Sequence, residues 1–208
     1  METSPQQETP VSNPILAHET DARMPVSGEL SLQQGKRNHL EGWLRDVAVS
    51  TVIAVLIVMF LYFLYPPVRV EGTSMMPRLE NHDRLFINKF VYHFESIQRG
   101  DVVVFHYPLD PAKRYIKRVI ALPGDRIRII DGQVWLNGKP LKEPYVPAKY
   151  RDDLSMATLV VPKDYYFVMG DHRSISSDSR VFGPVKGSLI YGKAEFIYWP
   201  AKDAGVVH

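Results

Sequence analysis

The sequence predicts an all-β domain carried behind one N-terminal transmembrane helix. Three observations support this. A run of nineteen residues, 47–65, holds no charge. Beyond it, short runs rich in β-branched and aromatic residues recur between Gly, Pro and Asp. Outside the apolar run, no long stretch keeps a helical period. The chain divides accordingly into 1–46, 47–65 and 66–208.

Residues 1–46 are polar, and Pro5, Pro10, Pro14 and Pro25 interrupt a helical period. Four Lys/Arg stand against seven Asp/Glu, a net charge of −3. This composition predicts a disordered tail, and it allows a short helix near Leu30–Leu44. At about 1.5 Å per residue, residues 47–65 reach roughly 28 Å, close to the ~30 Å hydrocarbon core of a bilayer. Only Ser50 and Thr51 interrupt its apolar surface, whereas a core helix keeps a polar face. Tyr62 and Tyr65 at one end and Trp43 near the other suit a membrane interface. Pro66-Pro67 stops the helix. The run is too long for the apolar part of a signal peptide, and no small-x-small site precedes Pro66, so an uncleaved anchor is expected. Lys36, Arg37 and Arg45 before the span nearly balance Arg69, Arg78 and Arg84 after it. Charge alone therefore does not orient it.

The 208-residue chain has a net charge of +2, 45% hydrophobic residues and no cysteine. Disulfides, thiolate metal sites and a Cys nucleophile are excluded. Taking the tail's −3 from +2 leaves +5 on residues 66–208. That is a mild attraction to an anionic surface and gives no case for nucleic acid. No metal cluster or nucleotide loop is visible, so no cofactor is expected.

Strands are predicted at Val68–Val70, Arg84–Phe90, Asp101–Tyr107, Tyr115–Ala121 and Arg126–Ile130. Others follow at Gln133–Leu136, Leu159–Val161, Tyr165–Met169 and Leu189–Tyr198. Asp131-Gly132 accepts positive φ at both central positions of a tight turn, which predicts a hairpin. Residues 137–158, with Pro140, Pro144 and Pro147, read as an inserted loop or extension.

Four motifs carry polar chemistry. Ser74 stands in Glu71-Gly72-Thr73-Ser74-Met75-Met76-Pro77, shortly after the membrane span; taken alone, it reads as a turn serine. The segment 99–105 is a turn followed by a buried strand. In Tyr115–Ala121, a period of two puts Lys117 on the face of Tyr115, Val119 and Ala121, and Arg118 on the other with Ile116 and Ile120. Lys117 thus shares an apolar and aromatic face, or snorkels from a strand edge. The segment 170–180 packs Asp171, Ser176, Asp178 and Arg180 into a solvated loop or a hydrogen-bonded scaffold.

Together these motifs resemble the bacterial type I signal peptidases. The matching stretches are Ser74-Met75-Met76-Pro77, Gly100–Phe105, Tyr115–Asp125 and Gly170–Arg180, in the family's order behind an anchor. The resemblance covers about 66–198. It implies a membrane-bound serine endopeptidase that removes N-terminal signal peptides from exported preproteins after a small-x-small pattern. Its implied fold is an all-β catalytic domain of two antiparallel sheets with an inserted β-rich subdomain, about 126–162. Ser74 matches the nucleophile and Lys117 the general base. Ser176 matches the hydroxyl that orients the amine. Asp171, Asp178 and Arg180 match structural residues beside the site. Gly72 stands where some members supply an oxyanion-binding hydroxyl, so the second oxyanion donor stays open. Met75 is a candidate to line the first substrate pocket, with Met76 and Phe86 better suited to the core. Arg78 and His172 depart from the family's usual Thr and Asn; Arg78 is expected to reach lipid phosphate. Cleavage at a bilayer surface orients the chain, with the tail cytoplasmic and the domain outside.

The chemistry is consistent with these roles. A serine hydroxyl needs a base to take its proton. Lysine with a pKa of about 10.4 is only roughly 0.04% neutral at pH 7, and a shift to about 8 raises this to roughly 10% at a cost near 3 kcal/mol. Arginine cannot do this, because it does not deprotonate in proteins. Two rivals remain. One is a Ser/His/Asp hydrolase using His82, His106 or His172. The other is a non-catalytic, membrane-anchored domain that binds exported chains.

Overall fold

A computed structural model describes the backbone of residues 27–207 and the side chains of 41–207. The tail predicted for 1–46 therefore lies outside the described residues as far as residue 26. Helix α1 runs Ser27–Leu64, so residues 27–46 are helix continuous with the apolar run rather than tail. Downstream of Pro25 this stretch has no proline, and its Glu, Leu, Gln and Lys residues are good helix formers. Within α1, Glu41–Leu64 is long and apolar enough to cross a membrane, its most apolar 18 residues having a mean hydropathy of 2.8.

Twelve strands follow: β1 (Pro67–Arg69), β2 (Arg84–Asn88), β3 (Val102–Tyr107), β4 (Asp110–Ala121), β5 (Arg126–Ile130) and β6 (Gln133–Leu136). They continue with β7 (Lys139–Pro140), β8 (Met156–Val160), β9 (Tyr165–Met169), β10 (Val185–Lys186), β11 (Ile190–Trp199) and β12 (Gly205–Val206). Two single-turn helices, α2 (Val91–Phe94) and α3 (Ser179–Phe182), lie between strands.

The strands form two antiparallel sheets. The larger has the order β1-β2-β11-β3-β4-β9-β10, with β12 on β11; the smaller is β7-β6-β5-β8. In sequence the small sheet lies wholly between β4 and β9, which pair with each other. Strand β3 is buried on both faces. Val102 and Val104 join one apolar cluster with Leu79, Leu85 and Ile87, while Val103 and Phe105 join another with Val119 and Val168. The small sheet turns Ile127, Ile129, Val134 and Leu136 inward against Ile120 and Phe167. Its other face carries Arg126 and Arg128 in strict alternation.

The Asp131-Gly132 turn forms as predicted, with φ of 44° and 73°. A side chain at Gly132 would meet the Asp152 carbonyl oxygen at 1.9 Å, so only glycine fits. Asn137-Gly138 makes a second such turn, φ 52° and 83°, leading into β7. That Asn-Gly pair was a legible hairpin signal within the segment read as a loop.

The alternation predicted along β4 holds through Val119. A register shift between Val119 and Ala121 then breaks it. Ala121 packs with Ile120 in the small-sheet cluster instead of sharing the Lys117 face.

Candidate active site

Strand β4 is the backbone of the site. On one edge it pairs with β3 from Asp110 to Arg118, while its other edge meets β9 only at Arg118, Val119 and Ala121. Residues 112–117 therefore have one free edge. It faces a cleft of about 850 Å³ whose lining also includes Val68, Val70, Gly72, Thr73, Ser74, Ser177 and Tyr191. Strand β1 is itself a sheet edge, so two strands with free backbone groups border one cleft.

Ser74 and Lys117 meet in this cleft. The Lys117 Nζ lies 2.6 Å from the Ser74 Oγ. Lys117 is only 4% exposed. Burial lowers its pKa to about 8; the Asp178 and Asp171 carboxylates oppose this and the Arg180 guanidinium adds to it. The Tyr115 ring centroid is 5.5 Å from Nζ, the aromatic neighbour expected two residues along the strand. No polar side chain other than Ser74 hydrogen-bonds this amine among the described residues.

The turn that carries Ser74 is held from both sides. Gly72 adopts φ 97°, and its N–H donates to Asn81 Oδ1 at 2.9 Å. The Ser74 carbonyl accepts from the His172 N–H at 3.0 Å. The His172 ring nitrogen Nδ1 lies 3.3 Å from the Thr73 carbonyl oxygen, and the ring packs 4.3 Å from that of Tyr150. Gly170 sits directly beneath, where a Cβ would approach Ser176 Oγ to 2.3 Å and Ser74 O to 2.4 Å.

The segment 170–180 is a scaffold, not a solvated loop. Arg118 donates from Nε and Nη2 to both Asp171 oxygens at 2.9 and 2.6 Å, with both side chains buried. Asp178 caps α3, accepts from the Gly170 N–H at 3.0 Å, and pairs with Arg180 at 2.8 Å. Arg180 also pairs with Asp152 and donates to the Arg173 carbonyl. Arg173 forms a buried bidentate pair with Glu143, at 3.1 and 2.5 Å. Glu143 and Asp152 both come from the 137–158 segment, which thereby braces this loop.

Three expectations change. Ser176 lies beside the site, but its Oγ is buried and makes no hydrogen bond among the described residues. The bond expected from Lys117 is not formed, because the amine is directed at Ser74. Met75 is 1% exposed and packs with Leu79 and Leu85 in the core, so it lines no pocket. The side chain after the serine turns inward, and Val68, Val70, Leu85, Val104 and Ile116 supply the apolar cleft wall. Arg78, expected at lipid phosphate, donates to the Val206 carbonyl. Arg118, Arg173, Glu143, Asp152, Asn81 and Gly170 were not singled out from sequence. Only the arginine next to Lys117 gave a local signal.

The sequence profile of the family described as "Signal peptidase, peptidase S26" matches residues 43–199. The chain belongs to the signal peptidase S26 family. A signal peptidase I of Bacillus caldolyticus is 38% identical over 186 residues, covering 84% of this chain and 97% of that one. A probable signal peptidase I-1 of Synechocystis is 37% identical over 169 residues, covering 77% of this chain and 84% of that one. A signal peptidase I crystal structure from Enterococcus faecalis is 34% identical, with a TM-score of 0.43, covering 48% of this chain and 97% of that one. This S26 peptidase is thus a serine hydrolase.

Proposed function

We propose that this S26 peptidase removes signal peptides from exported preproteins by a Ser74/Lys117 dyad, cleaving after a small-x-small pattern. The observation that carries this reading is the 2.6 Å contact between a buried lysine amine and a serine hydroxyl. Neutral Lys117 accepts the Ser74 hydroxyl proton as Oγ attacks the scissile carbonyl carbon. The oxyanion that forms faces the Ser74 N–H, which has no hydrogen-bond partner among the described residues. The Lys117 ammonium then gives its proton to the leaving amine as the C–N bond breaks. Water, giving a proton to Lys117, attacks the acyl ester carbon, and as the C–Oγ bond breaks the Lys117 ammonium returns a proton to Ser74 Oγ. Ser176 receives the amine once Ser74 is acylated, its buried hydroxyl being unengaged beforehand.

The signal peptide lies extended along the free edges of β1 and β4, where backbone pairing supplies affinity and alternate side chains enter the cleft. The apolar wall at Val68, Val70 and Ile116 accepts small residues. Residues 126–162 form a subdomain inserted in the catalytic core and brace the 170–180 loop. Helix α1 anchors the chain in the cell membrane, tail cytoplasmic and catalytic domain outside, because cleavage sites emerge at the outer bilayer surface. Preproteins and phospholipid are the partners, and nucleic acid is not.

Ser74→Ala in full-length protein, assayed on a preprotein in liposomes, is expected to lose cleavage by about 10³-fold or more. Equal cleavage by both proteins overturns the reading. The lysine base also sets a pH profile. Because the neutral amine is the active form, kcat/KM should climb about tenfold per pH unit up to about 8 and level off above it. A flat profile from about pH 6 to about pH 10 would exclude a lysine of lowered pKa as the base.

A further inference from the structure

We propose that Asn81 is a positioning residue for the nucleophile, holding Gly72 in the left-handed bend from which the chain leads the Ser74 hydroxyl into the cleft. The inference goes beyond the dyad and rests only on Ser74 being the nucleophile.

Three hydrogen-bonding contacts fix residues 72–74 from outside the turn. Two come from His172, at the Thr73 and Ser74 carbonyls. The third, upstream of the serine, is Asn81 Oδ1 accepting from the Gly72 N–H at 2.9 Å. Gly72 has φ 97°, a conformation that an unrestrained glycine leaves readily. Without Asn81, nothing described holds the Glu71–Gly72 peptide plane, and the chain entering Thr73 and Ser74 loses its upstream anchor. The same bond bears on the oxyanion. Gly72 carries no hydroxyl, and its N–H is already committed to Asn81, so it does not serve as the second donor.

His82, at φ 78°, follows Asn81, and Arg69, which lines the cleft, donates from Nε and Nη2 to its Nδ1 at 3.1 and 2.7 Å. That pairing leaves the ring proton on Nε2, so the 3.2 Å approach of Nε2 to Asn81 Nδ2 is a contact between two donors and holds neither group.

The test compares Asn81→Ala and Asn81→Asp in the full chain, on a peptide substrate in detergent. Asp keeps an acceptor oxygen, and Ala does not. Asn81→Ala is expected to lower kcat about tenfold with KM within about twofold, and Asn81→Asp to recover most of that loss. Thermal midpoints of both should stay near wild type, since Asn81 is exposed. Wild-type kcat in Asn81→Ala, a loss carried by KM, or an Asp variant as impaired as Ala each overturns the proposal. Lys117→Ala, measured alongside, separates the two readings. If that variant is active the lysine base falls, while the Asn81 result still stands or falls on its own kcat. If Ser74→Ala is active, both fall.

Discussion

Lys117→Ala is expected to lower kcat/KM for preprotein cleavage by about 10³-fold without unfolding the protein. The alanine removes the only base that hydrogen-bonds Ser74 Oγ among the described residues. It should not destabilise the fold in proportion. Holding this lysine at about 8 instead of 10.5 is a standing cost of about 3 kcal/mol below pH 8. The unfolded chain binds the extra proton between those values, so wild-type stability rises as pH climbs from about 8 to about 10.5. The alanine variant loses that slope, which chemical denaturation at two pH values will reveal. Lys117→Arg should be equally inactive, because a guanidinium cannot give up its proton. Full activity in either variant, with active-site occupancy checked by mass, would return the question to His82, His106 or His172. His172 donates its backbone N–H to the Ser74 carbonyl, but among the described residues no histidine ring hydrogen-bonds the Ser74 hydroxyl.

The second large effect is on stability. Glu143→Ala is expected to cost about 3–5 kcal/mol, because it strips the carboxylate from the buried Arg173 guanidinium. Arg173 would keep only its bond to the Gly170 carbonyl. Replacing both partners by apolar residues, as in Glu143→Leu with Arg173→Met, should recover most of that loss, since the pair's desolvation cost disappears with it. Urea unfolding of the singles and the double measures the coupling. A single-variant loss under about 1 kcal/mol would mean that water reaches the guanidinium. The double variant should remain impaired in cleavage even when stable, because Arg173 also holds the Gly170 carbonyl beneath Ser74.

Much of the fold was legible because short-range patterns set it. β-rich runs between Gly, Pro and Asp placed β2, β3, β5, β6, β9 and β11 to within two residues, and β4 from Tyr115 onward but not its first five residues; turn chemistry placed the Asp131-Gly132 hairpin. Period-two alternation separated Lys117 from Arg118. What was missed depends on residues far apart in sequence. Glu143 meets Arg173, and Asp152 meets Arg180, only after the small sheet packs beside the 170–180 loop. Nothing in 137–158 marks those carboxylates as buried. The inward turn of Met75 was illegible for a related reason. Adjacency to Ser74 says nothing about direction in a turn whose backbone bends at Gly72. The Val119–Ala121 register shift is likewise invisible, since a bulge leaves the composition of a strand unchanged. Short strands β7, β10 and β12 form because longer neighbours offer them an edge.

Strand β4 also acts as a ruler. Its two adjacent cations have opposite fates: one amine is stripped of solvent beside Ser74, and one guanidinium is clasped by Asp171. Only their count from the β3 hairpin decides which side chain arrives where. Delete one residue between 111 and 116 and the guanidinium would arrive at the serine with Val119 at the carboxylate; insert one and the amine would face the carboxylate with Ile116 at the serine. Every catalytic residue type would survive such a change, yet the enzyme would be silent. The length of this strand therefore matters as much as the identity of its residues, and the hairpin tip at Pro108-Leu109 is where a residue could be added without disturbing the count.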